Sequence, residues 1–363
     1  VARLGADEFA ILLPGIEQLG HIGNVARKLI AQLAEPFLLG AESSKVTASI
    51  GVAVYPVDGH DPDTLLKSAE QAMYHAKSTG RNRYCHFTPA LHEAATRRRQ
   101  LLRDLPQVVE SGQLYVCYQP IASLITGKIH KAEALVRWRH PDHGNISPAD
   151  FIPLAEETGA IMAIGNYVFQ EAANITQGMR ACGHDEFQVS VNMSPAQFRG
   201  NSDLIPQWMA LLGTLGLPGD AVAIEITEGM LMQVKESTKL RLDEMRNFGI
   251  KISLDDFGTG YSSLSYLKML DIDYLKIDQS FVRDLEIDPD DRALCEAMIV
   301  MAHKLGLKVV AEGIETAGQL DLLVKAGCDF GQGYLFAKPV PATEFTEFMF
   351  RSDGKVQAGL GYL

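Results

Sequence analysis

Residues 221–257 read AVAIEITEGMLMQVKESTKLRLDEMRNFGIKISLDDF. The opening AVAIEIT and the closing KISLDDF are short apolar runs rich in β-branched residues, as buried strands are. Between them, 236–247 carries apolar residues at helical spacing. Strand, helix and strand in that order make a βα unit with two parallel strands. The same alternation extends outward in both directions from Leu114 onward. Candidate strands fall at 115–121, 129–138, 188–194, 221–228, 251–257, 274–278, 308–314 and 330–336. Helical patterns at 161–181, 236–247, 291–305 and 316–326 separate most of them. Eight strands with interleaved helices in about 240 residues have the size of a (β/α)8 barrel. The link from 121 to 129 is too short for a crossover helix, so the first strand should run antiparallel to the second. The expected fold class is therefore α/β, a TIM-like barrel with an antiparallel first strand.

Upstream the pattern differs. Val1-Ala-Arg-Leu-Gly5 reads as the middle of a hairpin, followed by a short strand at 9–14 and an amphipathic stretch from Ile22 to Ala34. A strand over 46–54, a helix over 63–78 and a last short strand come next, broken by Gly80-Arg81-Asn82-Arg83. Residues 90–113 read as a charged linking helix in which Arg97, Arg98 and Arg99 form a solvated face. This divides the chain into a small α/β domain at 1–88, a linker at 89–113, the barrel at 114–350 and a tail at 351–363. The chain opens on Val1 in mid-pattern and is expected to be a piece of something longer.

Composition narrows the function classes. With 47% apolar and 21% charged residues among 363, the chain can build a packed core. Its net charge of −12, from 45 acidic and 33 basic residues, gives no general attraction for a nucleic acid polymer. A phosphate-rich substrate would need local charge reversal, which bound cations supply. The five cysteines are scattered without a C-x-x-C pair, which favours neither disulfides nor structural zinc and suits a reducing cytoplasm. No apolar run approaches the ~18 residues of a membrane span, and no signal peptide is visible. The expectation is a cytoplasmic fragment of a longer sensor, soluble or membrane-tethered as a whole.

Active sites of such barrels lie at the C-terminal ends of the strands. Glu133 stands in the second strand, with Leu135 and Arg137 on the same face. Asn192 ends the third, Glu225 and Glu228 the fourth, and Asp255-Asp256 the fifth. Lys276 and Asp278 follow on the sixth, Glu312 and Glu315 on the seventh, and Gln332 on the eighth. Clustered carboxylates are costly to bury unless cations neutralise them. All-oxygen donors suit Mg²⁺ or Mn²⁺ rather than zinc. Adjacent aspartates can bridge two ions, a pair ~3.5–4 Å apart that activates water against a phosphoester. Each residue also has a structural reading. A lone strand Glu can pair with Arg or Lys, and Asn192 before Ser194-Pro195 can cap a helix. Lys276 can pair at an interface, and Gln332 can bond backbone. Gly258 and Gly260 give the loop after Asp256 close approach to a ligand, and Glu228 is placed to hold that loop.

Together, Glu133-Ala-Leu135, Asn192, Glu225-Ile-Thr-Glu228, Asp255-Asp256-Phe-Gly-Thr-Gly, Lys276-Ile-Asp278, Ala311-Glu312-Gly313 and Gln332-Gly-Tyr-Leu-Phe resemble the EAL domain family over roughly 114–350. The resemblance implies a bacterial c-di-GMP phosphodiesterase that gives linear pGpG, with two Mg²⁺ or Mn²⁺ ions and inhibition by Ca²⁺. It also implies a homodimer through this domain. By position, Glu133, Asn192, Glu225 and Asp255 would hold one ion, and Asp255, Asp256 and Glu312 the other. Lys276 would contact the attacking water, with Glu312 as an alternative general base and Asp256 also at the reacting centre. Gln119, Leu135, Arg137, Asp278 and Gln332 would meet substrate. A non-catalytic c-di-GMP receptor and an unrelated metal-dependent barrel enzyme are the alternatives.

Residues 1–88 resemble the C-terminal half of a GGDEF (diguanylate cyclase) domain. The carriers are Arg3-Leu-Gly-Ala-Asp-Glu-Phe9, Ser49-Ile-Gly-Val-Ala-Val-Tyr55 and Ala72-Met-Tyr-His-Ala-Lys77 through Arg81. Ala6 replaces the second glycine, adding a methyl where the turn would face phosphate. Lys77 and Arg81 serve equally as phosphate contacts, with GTP as the implied ligand, or as helix C-terminal cations. Cyclase activity is not expected of this stretch.

Overall fold

The computed structural model describes all residues except 17–18, 41, 200–202, 232–235, 260–266, 268–269, 352–353 and 355–363. The Gly260 end of the loop after Asp256 and most of the expected tail lie outside the described residues. The chain forms two compact units, Val1–Arg103 and Asp104–Leu363.

In the first unit, β1 (Ala2–Arg3) and β2 (Phe9–Ala10) form an antiparallel hairpin. Arg3 closes its turn by donating to Gly5 O and Ala6 O, each at 2.9 Å. The expected strand over 9–14 is thus two residues long. Its paired residues are Phe9 with Arg3 and Ala10 with Ala2. After α1 (Leu19–Ala34) comes an unforeseen hairpin of β3 (Phe37–Leu39) and β4 (Glu42–Ser44). The strand expected at 46–54 is only β5 (Ile50–Val52), set by its parallel pairing with β6 (Tyr84–His86). Between these lies α2 (Pro62–Ser78), started by Asp61, whose side chain accepts from Thr64 N, and by Pro62. The linking helix α3 (Pro89–Asp104) stops nine residues before the expected 113 and passes into a 3-10 turn at Leu105–Gln107. Pro106 explains the break, since proline cannot donate the next helical hydrogen bond.

The second unit is a closed eight-stranded barrel. Its first strand β7 (Leu114–Ser123) pairs antiparallel with β8 (Ile129–His140). Then follow in parallel β10 (Gln188–Asn192), β11 (Val222–Thr227), β12 (Lys251–Phe257), β13 (Tyr274–Ile277), β14 (Lys308–Ala311) and β15 (Phe330–Gln332). β15 closes the ring antiparallel on β7. An extra strand β9 (Gly144–Ile146) folds back on the extended end of β8, and β16 (Val340–Pro341) pairs with β7. The outer layer comprises α4 (Pro148–Thr158), α5 (Ile161–Ala181), α6 (Pro195–Arg199), α7 (Leu204–Thr214), α8 (Glu228–Leu231), α9 (Glu236–Phe248), α10 (Gln279–Arg283), α11 (Pro289–Lys304), α12 (Ala317–Lys325) and α13 (Ala342–Arg351).

Several strands are shorter than their apolar runs. β14 stops at Ala311 and β15 at Gln332, so Glu312 stands just past a strand end. Likewise Glu228 starts α8 instead of ending a strand. Strand alternation divides the side chains into two sets. Ala132, Ala134, Ile224, Ile226, Leu275 and Ile277 are at most 2% exposed and pack outward beneath the helices. Burying each large aliphatic chain there contributes roughly 1.5–3 kcal/mol. The alternating set fills the barrel. Its floor is polar: Lys131 Nζ donates to Gln188 Oε1 and, at 2.7 Å, to Tyr274 Oη, and it lies 3.9 Å from the Tyr274 ring centroid. Burial pushes the Lys131 amine down to about 7, against the pull of Asp273.

Candidate active site

Above that floor the barrel interior turns acidic. Glu133 from β8, Glu225 from β11 and Lys276 from β13 project inward at 6%, 2% and 1% exposure. Asp255 near the end of β12 and Glu312 just after β14 join them half-buried. The Lys276 ammonium stands among these four carboxylates. It lies 2.7 Å from Glu225 Oε2, 2.5 Å from Glu312 Oε1, 3.3 Å from Asp255 Oδ1 and 3.6 Å from Glu133 Oε2. A buried ammonium requires such partners, and they require it.

Two amides complete the ring. Asn192 Nδ2 donates to Glu133 Oε1 at 2.7 Å, and Gln332 Nε2 donates to Glu133 Oε2 at 2.7 Å and to Gln119 Oε1 at 3.0 Å. Gln119 in turn donates to Ala337 O at 3.2 Å. Gln332 Oε1 is buried without a hydrogen-bond partner in the structure, an acceptor left free in the wall of the site.

The carboxylates are unequal. Burial alone would raise Glu133, but Lys276 and the two amides hold it below its ordinary value. Burial drives Glu225 well above the ordinary range despite Lys276, and Glu133 and Asp255 add to the rise. Glu312 is pushed up to about 8 by burial, opposed by Lys276 and reinforced by Asp255 and Glu133. The Lys276 amine is held well above its usual value: burial opposes this, and Asp255, Glu133, Glu225 and Glu312 outweigh it. One ammonium cannot neutralise four acids, so the site is short of positive charge.

Asp256 takes its place through the backbone. The pairing of β12 with β13 slips between Leu254 and Phe257, and Asp256 adopts φ +56°. That bulge breaks the alternation that would turn neighbouring side chains to opposite faces. Partial burial, Asp255 and Asp278 raise the Asp256 carboxyl. Beyond it, Gly258 N–H donates to Glu228 Oε2 at 3.2 Å, linking the start of α8 to the loop. Asp278 caps α10 by accepting from Ser280 N at 2.9 Å. Leu135 and Arg137 are half-buried farther along β8, and Arg137 Nη1 donates to Val136 O at 2.9 Å.

Glu133, Glu225, Asp255, Glu312, Lys276, Asn192, Gln332 and Gln119 are thus joined in one connected set. Asp278 and Arg137 are engaged elsewhere, with Ser280 N and Val136 O, and Leu135 is an apolar neighbour on β8. Among the described residues, no three acidic, histidine or cysteine side chains are set to hold a metal ion as they stand. The physical reason is the ammonium inserted between the acids. The donor set nevertheless fits a hard divalent cation: it is all oxygen, lacks compensating charge, and includes an amide that can turn its oxygen inward. Sequence reasoning passed over Gln279 and Phe281. Their signal was the glycine after each acidic strand end, Gly258 and Gly313, both at positive φ and tight against α10.

Comparison with known proteins gives two family matches: the EAL domain over residues 100–339 and the diguanylate cyclase GGDEF domain over 1–83. The bifunctional diguanylate cyclase/cyclic di-GMP phosphodiesterase MucR of Pseudomonas aeruginosa is 40% identical over 344 residues, covering 95% of this chain and 50% of its own length. The cyclic di-GMP phosphodiesterase NbdA of the same organism is 39% identical over 349 residues, covering 96% of this chain and 44% of its own. The chain therefore spans about half the length of these relatives. A solved structure described as PaMucR phosphodiesterase in complex with c-di-GMP superposes with TM-score 0.64 at 40% identity, covering 68% of this chain and 99% of that one.

Proposed function

The chain belongs to the EAL domain family, with a partial GGDEF domain at residues 1–83, and from that premise we propose that its barrel hydrolyses c-di-GMP to linear pGpG. The observation that carries the reading is the ring of Glu133, Glu225, Asp255 and Glu312 around one ammonium at the barrel mouth. It is a pocket built for positive charge in a chain of net charge −12. The relatives MucR and NbdA carry phosphodiesterase in their names, and the solved MucR structure holds c-di-GMP.

Glu133, Asn192, Glu225 and Asp255 would hold one Mg²⁺ or Mn²⁺, and Asp255, Asp256 and Glu312 a second. When bound, such a pair supplies a water ionised at neutral pH and positive charge for the leaving oxygen. The chain supplies the rest. Asn192 and Gln332 keep the Glu133 carboxylate oriented and ionised. Glu312, 2.5 Å from the Lys276 ammonium, is the carboxylate placed to take the water's proton. The Lys276 ammonium can donate to a water oxygen while remaining charged. Arg137 at the rim can meet a phosphate through two N–H groups.

Incubating the purified chain with c-di-GMP and Mn²⁺ or Mg²⁺, with chromatography of the products, tests this. pGpG should accumulate, chelation or Ca²⁺ should stop it, and Glu133→Ala or Asp255→Asn should abolish it. Tight c-di-GMP binding without pGpG would make the chain a receptor instead. Absence of c-di-GMP binding would remove the reading altogether.

A further inference from the structure

We infer that α10 is the spacer that sets the separation between the Asp255–Asp256 corner and Glu312, with Phe281 and Gln279 as its positioning residues. The inference rests on the functional reading above, in which these acids share a cation.

β13 lies between β12 and β14 in the barrel, and α10 begins two residues beyond its end. On one side, Gly258 follows Asp256 by two residues. A Cβ there would stand 2.7 and 2.9 Å from Phe281 ring carbons and 3.5 Å from Met298 Sδ. On the other side, Gly313 directly follows Glu312. A Cβ there would stand 2.5 Å from Gln279 Cβ and 3.3 Å from Gln279 Cα. Both glycines have positive φ, +99° and +70°. Neither neighbouring loop can move closer to α10, because each already touches it without a side chain of its own.

The spacer itself is fixed. Asp278 caps it at Ser280 N (2.9 Å) and accepts from Phe281 N at 3.1 Å through its carbonyl. Gln319 Nε2 donates to Arg283 O at 3.1 Å, and Cys295 Sγ to Phe281 O at 3.6 Å. Glu312 N donates to Ile277 O at 3.1 Å, tying the seventh strand end to the strand that carries α10. Glu228 then holds Gly258 from the opposite side, at 3.2 Å. The chain leaving β12 after Asp255 and Asp256 is therefore held at Gly258, between a carboxylate on one side and the Phe281 ring on the other. Removing the ring leaves a void into which that loop can relax.

The test uses the whole chain with Phe281→Ala, Phe281→Leu and Gly258→Ala. Mn²⁺ binding is titrated by electron paramagnetic resonance, thermal unfolding is followed by circular dichroism, and kcat and KM for c-di-GMP are measured against Mn²⁺ concentration. Phe281→Ala should weaken Mn²⁺ binding by about tenfold, as loss of a residue behind metal ligands does. Phe281→Leu should recover part of the loss, and saturating Mn²⁺ should restore much of kcat. Gly258→Ala should harm binding less when Phe281 is already alanine, since the clash is then relieved. A folded Phe281→Ala chain with wild-type Mn²⁺ affinity overturns the inference, even if its melting temperature falls. If Phe281→Ala does not fold, Phe281→Leu decides by the same criterion. Failure of the wild-type chain to bind Mn²⁺ overturns the functional reading itself and is seen before any variant is made.

Discussion

Replacing Lys276 by methionine removes one charge and little volume, so it isolates what the ammonium does. At an effective dielectric near 20, a unit pair at the Glu225 distance of 2.7 Å is worth about 6 kcal/mol. The Glu312 pair at 2.5 Å adds to this in proportion to its ionised fraction, since that carboxyl is raised to about 8. Desolvation of the buried ions offsets most of this, and removing one partner of a buried pair typically costs ~3–5 kcal/mol. That is the expected loss in unfolding free energy for Lys276→Met near pH 8 without divalent ions. The loss should shrink toward about pH 5, because the orphaned carboxyls can take protons there. Added Mn²⁺ should recover stability more in the variant than in the wild type, since the cation enters a site with one charge fewer to displace it. Urea denaturation followed by circular dichroism reads all three, and the hydrolysis assay should show no turnover. If the variant unfolds at the wild-type urea midpoint near pH 8, the ammonium does not hold the acids together.

Other consequences follow from the same geometry. In the folded chain Glu312, raised to about 8, keeps a proton that the unfolded chain gives up near 4.5. The folded state then binds more protons between those values, so stability of the metal-free protein should fall as pH rises from about 4.5 to 8, and urea midpoints across that range check the slope. Gln332→Leu strips donors from Glu133 and Gln119 together; leaving buried acceptors unpaired should cost about 1–3 kcal/mol by the same denaturation assay. Glu228→Ala releases Gly258 N–H, and turnover should fall at least about tenfold while overall helicity is unchanged. A fragment of residues 104–363 should melt as one cooperative unit in calorimetry, because its barrel closes within itself.

The barrel was legible because its outer faces obey a simple rule. Aliphatic residues alternate with inward acids at Ile224, Glu225 and Ile226, and the seven-residue gap between 121 and 129 admits only an antiparallel pair. Strand lengths were less legible, since an apolar run records burial and not pairing. β14 and β15 end at Ala311 and Gln332, short of the runs to 314 and 336 that suggest them. The acids of the site could be found as strand ends, but their arrangement could not. That Lys276 would touch four carboxylates depends on how far each strand is shifted around the ring, and no local pattern carries that information. The bulge at Asp256 is equally silent: an aspartate at φ +56° looks in sequence like any strand residue.

The two halves of the barrel interior make opposite use of a buried lysine. At the floor, Lys131 has only neutral partners in direct contact, a glutamine oxygen, a tyrosine hydroxyl and aromatic faces, and burial weakens its hold on a proton. Two residues along β8 the surroundings reverse, and Lys276 among acids holds its proton more tightly than in water. The same strand thus passes from a place that tolerates no more cation to one that lacks it. Below Glu133 the contacts of Lys131 are neutral, and at Glu133 four carboxylates gather around one ammonium. The polarity of the barrel, more than any single ligand, therefore favours the C-terminal mouth for the proposed cation site.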